Sequence, residues 1–321
     1  MSKQAVLLLA HGTPDTVEQI PEYLRNVVSG RPLPQHVIEE IQRRYALIGR
    51  SPLTEITLEQ ARLVEAELGA KGEPVKVYVG MRNWRPYIPD VVRQMRADGV
   101  EEAAVLCLAP QNSRTSVGLY RRAVEAEAGG LRIDFTAGWA QHPLLIEAFA
   151  ERLRPALSKL SAEVGAPVPV LFTAHSVPCR TIQSSSGAGE GQPRMWPGEG
   201  ADPYAEEAKR TAALVAARVP EIPQWWFAFQ SQGASGGPWI GPTVEQTLES
   251  IAAAGVRTVL LQTIGFLCDH VEILYDIDHL FREFALKLGV RLERPESLNA
   301  SPTLARAVAD LARAALVRLK G

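Results

Sequence analysis

The segment Val170-Leu-Phe-Thr-Ala-His175-Ser-Val-Pro178 has a counterpart near the N-terminus, Val6-Leu-Leu-Leu-Ala-His11-Gly-Thr-Pro14. Each segment is an apolar run that ends in a histidine and is stopped by a proline three residues later. A short, continuous apolar run is typical of a strand buried on both faces of a parallel sheet. The repetition predicts two halves built on one plan, each opening with a strand that carries an imidazole at its end.

Helical patterns alternate with further strand candidates along the whole chain, which predicts an α/β fold with parallel sheets flanked by helices. The strand candidates are Val6–Ala10, Val75–Val79, Ala104–Leu108, Leu131–Thr136, Val168–Thr173, Trp225–Phe229, Thr258–Ile264 and Val290–Leu292. The helix candidates include Leu58–Leu68, Ile88–Ala97, His142–Leu160, Pro203–Ala217, Val244–Ala254, Ile277–Leu288 and Thr303–Leu319. We expect domains at residues 1–145 and 146–302, with a C-terminal helix at about 303–321 that packs back on the first domain.

Charged and imidazole side chains follow the strand Thr258–Ile264 within a dozen residues, namely Asp269, His270, Glu272 and Asp276. Sites in α/β proteins lie beyond the carboxyl ends of strands. Glu272 and Asp276 are four residues apart, so a helix places both carboxylates on one face, where a divalent cation would relieve their repulsion. Acidic residues also favour a helix N-terminus through its dipole, and a histidine at a strand end can be purely structural. Two histidines in matching places, together with this acidic cluster, favour chemistry.

Composition limits the classes of protein to which the chain can belong. With 321 residues, 46% apolar and 22% charged, it suits two globular domains. The net charge of -2 argues against nucleic-acid binding. No apolar run is long enough to span a bilayer, and the N-terminal one is too short for a signal peptide. The cysteines 107, 179 and 268 are scattered, which fits reduced thiols in a cytoplasm rather than disulfides or an iron–sulfur cluster.

Two glycine-rich segments interrupt the second half, Ser184–Gly200 and Gly233–Trp239. Loops as long as the first are usually lids or disordered segments. The second lacks the lysine of a phosphate-binding loop, and no Gly-x-Gly-x-x-Gly follows the first strand. Neither segment predicts nucleotide binding.

The run Phe172-Thr-Ala-His175-Ser-Val-Pro178, followed later by Gly200-Ala-Asp-Pro-Tyr204, resembles the signature of ferrochelatases, which insert ferrous iron into a porphyrin in heme biosynthesis. Further matches are Gly12–Pro14, Tyr45–Gly49, Ser51–Leu53, Leu108–Pro110, Phe229–Ser231, Pro238–Trp239, Gly265–Phe266, Asp269–Glu272 and Asn299–Pro302. The resemblance implies two similar Rossmann-like domains, each a parallel sheet flanked by helices, with the active site in the cleft between them. It implies porphyrin and Fe²⁺ as substrates, no prosthetic group and no iron–sulfur cluster. Porphyrin-donor and heme-acceptor enzymes would be transient partners, and the cytoplasm the location.

Residue by residue, the resemblance assigns catalysis to His175 and Glu272, and metal binding to these two and Asp276. It assigns porphyrin binding to His11, Thr13, Arg44, Ser51, Ser113 and Trp239. His11 stands where the soluble Gram-positive type has a tyrosine, on the macrocycle face opposite His175. The chain departs from the family pattern at Leu280, Gln111 and Asn112. Which of His175 and Glu272 takes the pyrrole protons stays open.

Alternatives remain for both the substrate and the function. The segment from Arg31 to Ser51 resembles relatives that use coproporphyrin, so coproporphyrin III is slightly favoured over protoporphyrin IX. A chelatase of the same architecture could instead load cobalt or nickel into sirohydrochlorin, whose additional carboxylates would require a more basic cleft. A non-catalytic two-domain protein could clamp heme, but it has no evident need for His175 together with Glu272 and Asp276.

Overall fold

The strands form two four-stranded parallel sheets with equivalent strand orders. The structure is a computed structural model, and it describes residues 3–70, 72, 74–182, 202–232 and 237–320. The strands are β1 Gln4–Ala10, β2 Lys76–Met81, β3 Glu102–Cys107, β4 Arg132–Thr136, β5 Val170–His175, β6 Trp225–Gln230, β7 Thr258–Thr263 and β8 Arg291–Glu293. The first sheet has the order β2-β1-β3-β4 and the second the order β6-β5-β7-β8. The two apolar runs of the sequence repeat therefore occupy equivalent inner positions, and the predicted fold class is confirmed.

Helices connect the parallel strands, because a parallel pair needs a crossover. They are α1 Ile20–Val27, α2 Gln35–Ile48, α3 Leu53–Gly69, α4 Ile88–Ala97, α5 Val117–Glu125, α6 Pro143–Val164, α7 Cys179–Ile182, α8 Tyr204–Arg218, α9 Val244–Ala253, α10 Val271–Leu274, α11 Arg282–Lys287 and α12 Pro302–Lys320. A π-helix, Asp276–Phe281, lies between α10 and α11. None of the helices in the described part of the chain has the length and apolar character needed to cross a membrane. The segment Ser184–Gly200 and residues 233–236 lie outside the described residues.

One apolar core runs through both halves of the molecule. It includes Leu8 of the first sheet, Phe172 of the second and Phe149 of the long crossing helix α6, all of them buried. Truncation of a buried phenylalanine such as Phe149 to alanine costs roughly 3–5 kcal/mol of stability. The C-terminal helix α12 packs against α3, α6, β3 and β4, so it lies across the first sheet. The shared core fixes the two sheets relative to each other.

Two glycines allow the backbone to pass close to the strand ends. A Cβ at Gly12, whose φ is +83°, would lie 2.9 Å from the backbone nitrogen of Trp84. A Cβ at Gly265 would lie 2.9 Å from the Cβ of Ala174 on β5. Any larger residue would push the loops after β1 and β7 away from their neighbours. The loop after β1 begins with His11, and the loop after β7 leads into α10, which carries Glu272.

The predicted single helix Ile277–Leu288 differs from the structure. A π-helix covers residues 276–281, with the Leu280 N–H donating to the Tyr275 carbonyl oxygen at 3.0 Å, and α-helix follows only from Arg282. The apolar periodicity shows the helix but not its hydrogen-bond spacing. Single π-turns are frequent at functional sites.

Candidate active site

A cavity of about 670 Å³ opens where the carboxyl ends of the two sheets meet. This volume lies within the range of roughly 300–1,000 Å³ that is usual for small-molecule sites. Its wall contains seven residues that the sequence predicted: His11, Thr13, Ser51, Ser113, His175, Trp239 and Glu272. Apolar side chains such as Leu53, Val177 and Phe266 complete it. Such a wall suits a largely apolar ligand with polar substituents.

The carboxylate of Glu272 lies between two imidazoles. Its Oε2 is 3.6 Å from Nε2 of His175 and 3.9 Å from Nε2 of His270. Both distances are too long for a hydrogen bond, and this buried oxygen has no hydrogen-bond partner among the described residues. When two ligand atoms are each about 2.1 Å from one ion, a ligand–metal–ligand angle of about 90–120° places them roughly 3.0–3.6 Å apart. The spacing of His175 and Glu272 therefore suits a shared cation.

The metal-binding arrangement is open. Within the described ranges, no group of three or more His, Cys, Asp or Glu side chains is arranged to hold an ion. A resident structural metal would require such a closed set. Among the described residues, His175 and Glu272 therefore do not belong to a closed metal site.

Hydrogen bonds to backbone carbonyls define which ring nitrogen of each imidazole carries a proton. Nδ1 of His175 faces the carbonyl oxygen of Ser176, and Nδ1 of His270 faces that of Cys268 at 2.9 Å. A carbonyl oxygen only accepts, so each Nδ1 is the donor. In the neutral rings, both Nε2 atoms then present lone pairs toward Glu272. The Tyr204 hydroxyl donates to the carbonyl oxygen of His175 at 2.9 Å and further fixes that strand end.

Electrostatics keep this cluster charged. Burial alone would raise the pKa of Glu272, but the neighbouring imidazoles of His175 and His270 outweigh burial and lower it to about 2. Burial likewise opposes the protonated form of His270, yet the adjacent Glu272 carboxylate raises its pKa overall. Glu272 is therefore ionised throughout the physiological range, and it favours a positive charge on His270.

Asp276 and Arg44 lie beside the cavity rather than in its described wall. Oδ2 of Asp276 accepts from the Ser231 hydroxyl at 2.5 Å, and Oδ1 is 3.6 Å from Nη1 of Arg44. Burial and the charge of Glu272 raise the pKa of Asp276 to about 6. Arg44 also pairs with Glu40 at 3.1 Å, so its guanidinium faces acids rather than the cavity. The structure thus places Asp276 next to Glu272 but does not bring Arg44 to the ligand space.

His11 lines the cavity from the first half of the chain. Its Nε2 is 2.9 Å from the Tyr23 hydroxyl, and Nδ2 of Asn83 lies 3.0 Å from the same nitrogen. Burial, aided by the charge of Arg82, lowers the pKa of His11 to about 3. The ring therefore stays neutral at physiological pH.

The cavity wall also offers groups that bind carboxylates. The Ser51 Oγ is buried and has no hydrogen-bond partner within the described structure, although Ser51 lines the cavity. Three arginines, Arg31, Arg82 and Arg180, reach the same wall. Guanidinium groups make strong, paired hydrogen bonds to carboxylates. The wall is thus equipped for an anionic ligand.

From the sequence, His270 was noted in the cluster after β7 but given no specific role, and Arg82 and Arg180 were not identified. His270 belongs to the quoted Asp-His-x-Glu run, and its position two residues before Glu272 was a usable signal. Arg82 directly follows β2, as His11 directly follows β1, so the strand-end argument applies to it as well. Arg180 lies on the short helix α7, for which the sequence carried no comparable signal.

Comparison with known proteins gives three consistent results. The family described as Ferrochelatase matches residues 3–316. A protein named Ferrochelatase from Acidobacterium capsulatum is 60% identical over 319 residues, which cover 99% of this chain and 96% of that protein. A coproporphyrin III ferrochelatase from Mycolicibacterium vanbaalenii is 35% identical over 319 residues, covering 97% of this chain and 89% of that protein.

A solved structure shares the fold at low sequence identity. The sirohydrochlorin chelatase SirB from Bacillus subtilis subspecies spizizenii, in complex with cobalt, superposes with a TM-score of 0.56 and 12% identity. The match covers 98% of this chain and 95% of that one. At this identity the likeness concerns the two-domain architecture alone.

Proposed function

The chain belongs to the ferrochelatase family, and we propose that His175 and Glu272 handle the iron and the pyrrole protons in the cavity between its two sheets. The enzyme is a metal chelatase, a lyase that exchanges two pyrrole N–H protons for Fe²⁺. The family match over residues 3–316 favours a ferrochelatase over both a sirohydrochlorin chelatase and a non-catalytic heme-binding protein.

The observation that carries the proposed roles is the position of Glu272. A buried carboxylate oxygen with no hydrogen-bond partner among the described residues lies 3.6 Å from Nε2 of His175, in the wall of a cavity. An unsatisfied buried charge is costly unless a ligand completes its environment. A cation placed between Glu272 and His175 would do so. Carboxylate oxygen and imidazole nitrogen are both suitable ligands for Fe²⁺.

Proton removal follows from the same geometry. Nε2 of neutral His175 can accept a pyrrole proton, because its Nδ1 proton is already held by the Ser176 carbonyl oxygen. The imidazolium that forms lies 3.6 Å from Glu272, whose charge stabilises it. Two protons must leave, and the neutral form of His270 offers a second Nε2, 3.9 Å from the same carboxylate oxygen. In this proposal Glu272 stays ionised while the imidazoles carry the protons.

We propose coproporphyrin III as the preferred porphyrin. It carries four propionates, whereas protoporphyrin IX carries two propionates and two vinyl groups. Arg31, Arg82 and Arg180 in the cavity wall favour the more anionic substrate. Relatives such as the 35% identical one from Mycolicibacterium vanbaalenii are named for coproporphyrin III.

A steady-state comparison of the two porphyrins with Fe²⁺ tests this preference. We expect a higher kcat/KM for coproporphyrin III, and we expect Arg180→Gln to lower that value more than the value for protoporphyrin IX. Arg62→Gln is the control, because this exposed arginine pairs with Glu59 on α3 outside the cavity wall. An equal or higher kcat/KM for protoporphyrin IX would contradict the preference.

A further inference from the structure

Arg294 joins two acidic side chains that flank Glu272 in sequence. Its Nε and Nη2 donate to the two carboxylate oxygens of Asp278 at 2.7 and 2.8 Å. Its Nη1 lies 3.2 Å from Oδ1 of Asp269. The side chains are 14% exposed for Arg294, 16% for Asp269 and 23% for Asp278, so solvent weakens these contacts little.

The two acids belong to different pieces of the backbone around the site. Asp269 immediately precedes His270 in the loop after β7, three residues before Glu272. Asp278 lies in the π-helix, two residues after Asp276. One guanidinium therefore spans the stretch that carries Glu272 and connects its two ends.

The loop end of this stretch is fixed by several hydrogen bonds. Asp269 accepts from the Ser297 hydroxyl at 2.7 Å and from Nδ2 of Asn299 at 2.9 Å, and its own N–H donates to Oδ1 of Asn299 at 2.8 Å. The carbonyl oxygen of Asn299 in turn accepts from Nε2 of Gln60 on α3, at 2.8 Å. Arg294 extends this anchored network to the π-helix through its bidentate contact with Asp278.

We propose that Arg294 is a positioning residue that fixes both ends of the stretch carrying Glu272, and thereby sets the affinity of the site for the incoming metal. The inference rests on the proposed metal role of Glu272. Arginine is required because its planar fork can hold both oxygens of Asp278 while a third nitrogen faces Asp269. Residues that orient metal ligands without contacting the metal themselves typically contribute about 10–100-fold to metal affinity or activity.

Asp278→Asn is the most direct test. Removing Arg294 itself would leave two partly buried carboxylates uncompensated and could unfold the protein. Asp278→Asn instead breaks only the bidentate contact and leaves Arg294 paired with Asp269. We expect the KM for Fe²⁺ to rise about tenfold or more, with porphyrin affinity, measured by fluorescence quenching, unchanged. Asp278→Glu, which restores the charge, should recover part of the loss.

Asp134→Asn is a matched control. Asp134 makes a bidentate contact with Arg318 at 2.8 and 2.8 Å and is 20% exposed, but it lies on β4 outside the cavity wall. Both variants lose a bidentate pair and some stability, whereas KM does not depend on the folded fraction. A wild-type KM for Fe²⁺ in Asp278→Asn, or an equal rise in Asp134→Asn, would overturn the inference.

A parallel Glu272→Gln measurement separates the two levels of the argument. If Glu272→Gln is defective while Asp278→Asn has a wild-type KM for Fe²⁺, the proposed function stands and only the role of Arg294 is wrong. If Glu272→Gln behaves as wild type, the metal role of Glu272 fails, and the inference drawn from it fails as well.

Discussion

Glu272→Gln should slow iron insertion by an amount that the structure allows us to estimate. The substitution keeps the size of the side chain and removes its charge. An imidazolium at His175 would lie 3.6 Å from that charge. The Coulomb attraction between the two charges at this distance is about 4–5 kcal/mol at an effective dielectric constant of about 20. The side chains of His175 and Glu272 are 30% and 35% exposed, so we halve this value for solvent screening, to about 2 kcal/mol. That free energy corresponds to a roughly 30-fold lower rate.

Single-turnover kinetics measure this effect without interference from product release. Porphyrin is bound first and its affinity is determined by fluorescence; Fe²⁺ is then mixed in anaerobically and metalation is followed by absorbance. We expect the porphyrin affinity to be unchanged and the insertion rate to fall about 30-fold or more, since a metal ligand is also lost. Glu283→Gln, an exposed site that pairs with Lys287, is the control. A Glu272→Gln rate within threefold of wild type would refute the electrostatic reasoning.

Three further outcomes are expected. Ser51→Ala should weaken porphyrin binding about tenfold without lowering Tm, because the buried Oγ lacks a partner within the described structure until a carboxylate arrives; an unchanged Kd would contradict this role. The pKa of His11 is about 3 in the folded state and near 6.5 when unfolded. Between pH 6.5 and pH 3 the unfolded state therefore binds more protons than the folded state, so the stability of the fold decreases as the pH drops through this range. In urea unfolding, the free energy of unfolding should fall between pH 7 and pH 5 by about 2 kcal/mol more in wild type than in His11→Asn. An equal fall in both proteins would show that His11 does not titrate this way. Zn²⁺ or Cu²⁺ should compete with Fe²⁺, because N/O sites follow the Irving–Williams order; complete indifference to both ions would mean that the ligands are assigned wrongly.

The fold could be predicted because its signals are local. The runs that end in His11 and His175 are long enough and apolar enough to be buried strands, and their repetition indicated the equivalence of β1 and β5. Glu272 was expected beyond the carboxyl end of β7 for the same reason. Seven of the predicted site residues line one cavity because the carboxyl ends of all parallel strands in each sheet lie at one edge.

What the sequence could not show depends on side-chain direction and long-range pairing. Arg44 lies on α2, and its orientation is set by Glu40 on its own helix and by Asp276 from the other half. The network of Arg294 joins residues whose proximity arises only when β7, the π-helix and the segment before α12 pack together. Hydrophobic periodicity contains no information on such contacts.

The central claim is that His175 accepts a proton from the ring that Glu272 helps to metalate. The most direct test is the single-turnover rate of Fe²⁺ insertion into bound porphyrin in His175→Ala. We expect a loss of about 100-fold or more, as is typical for removal of a general base, with wild-type porphyrin affinity and an intact fold by circular dichroism. An insertion rate within a few-fold of wild type in that variant would contradict the account.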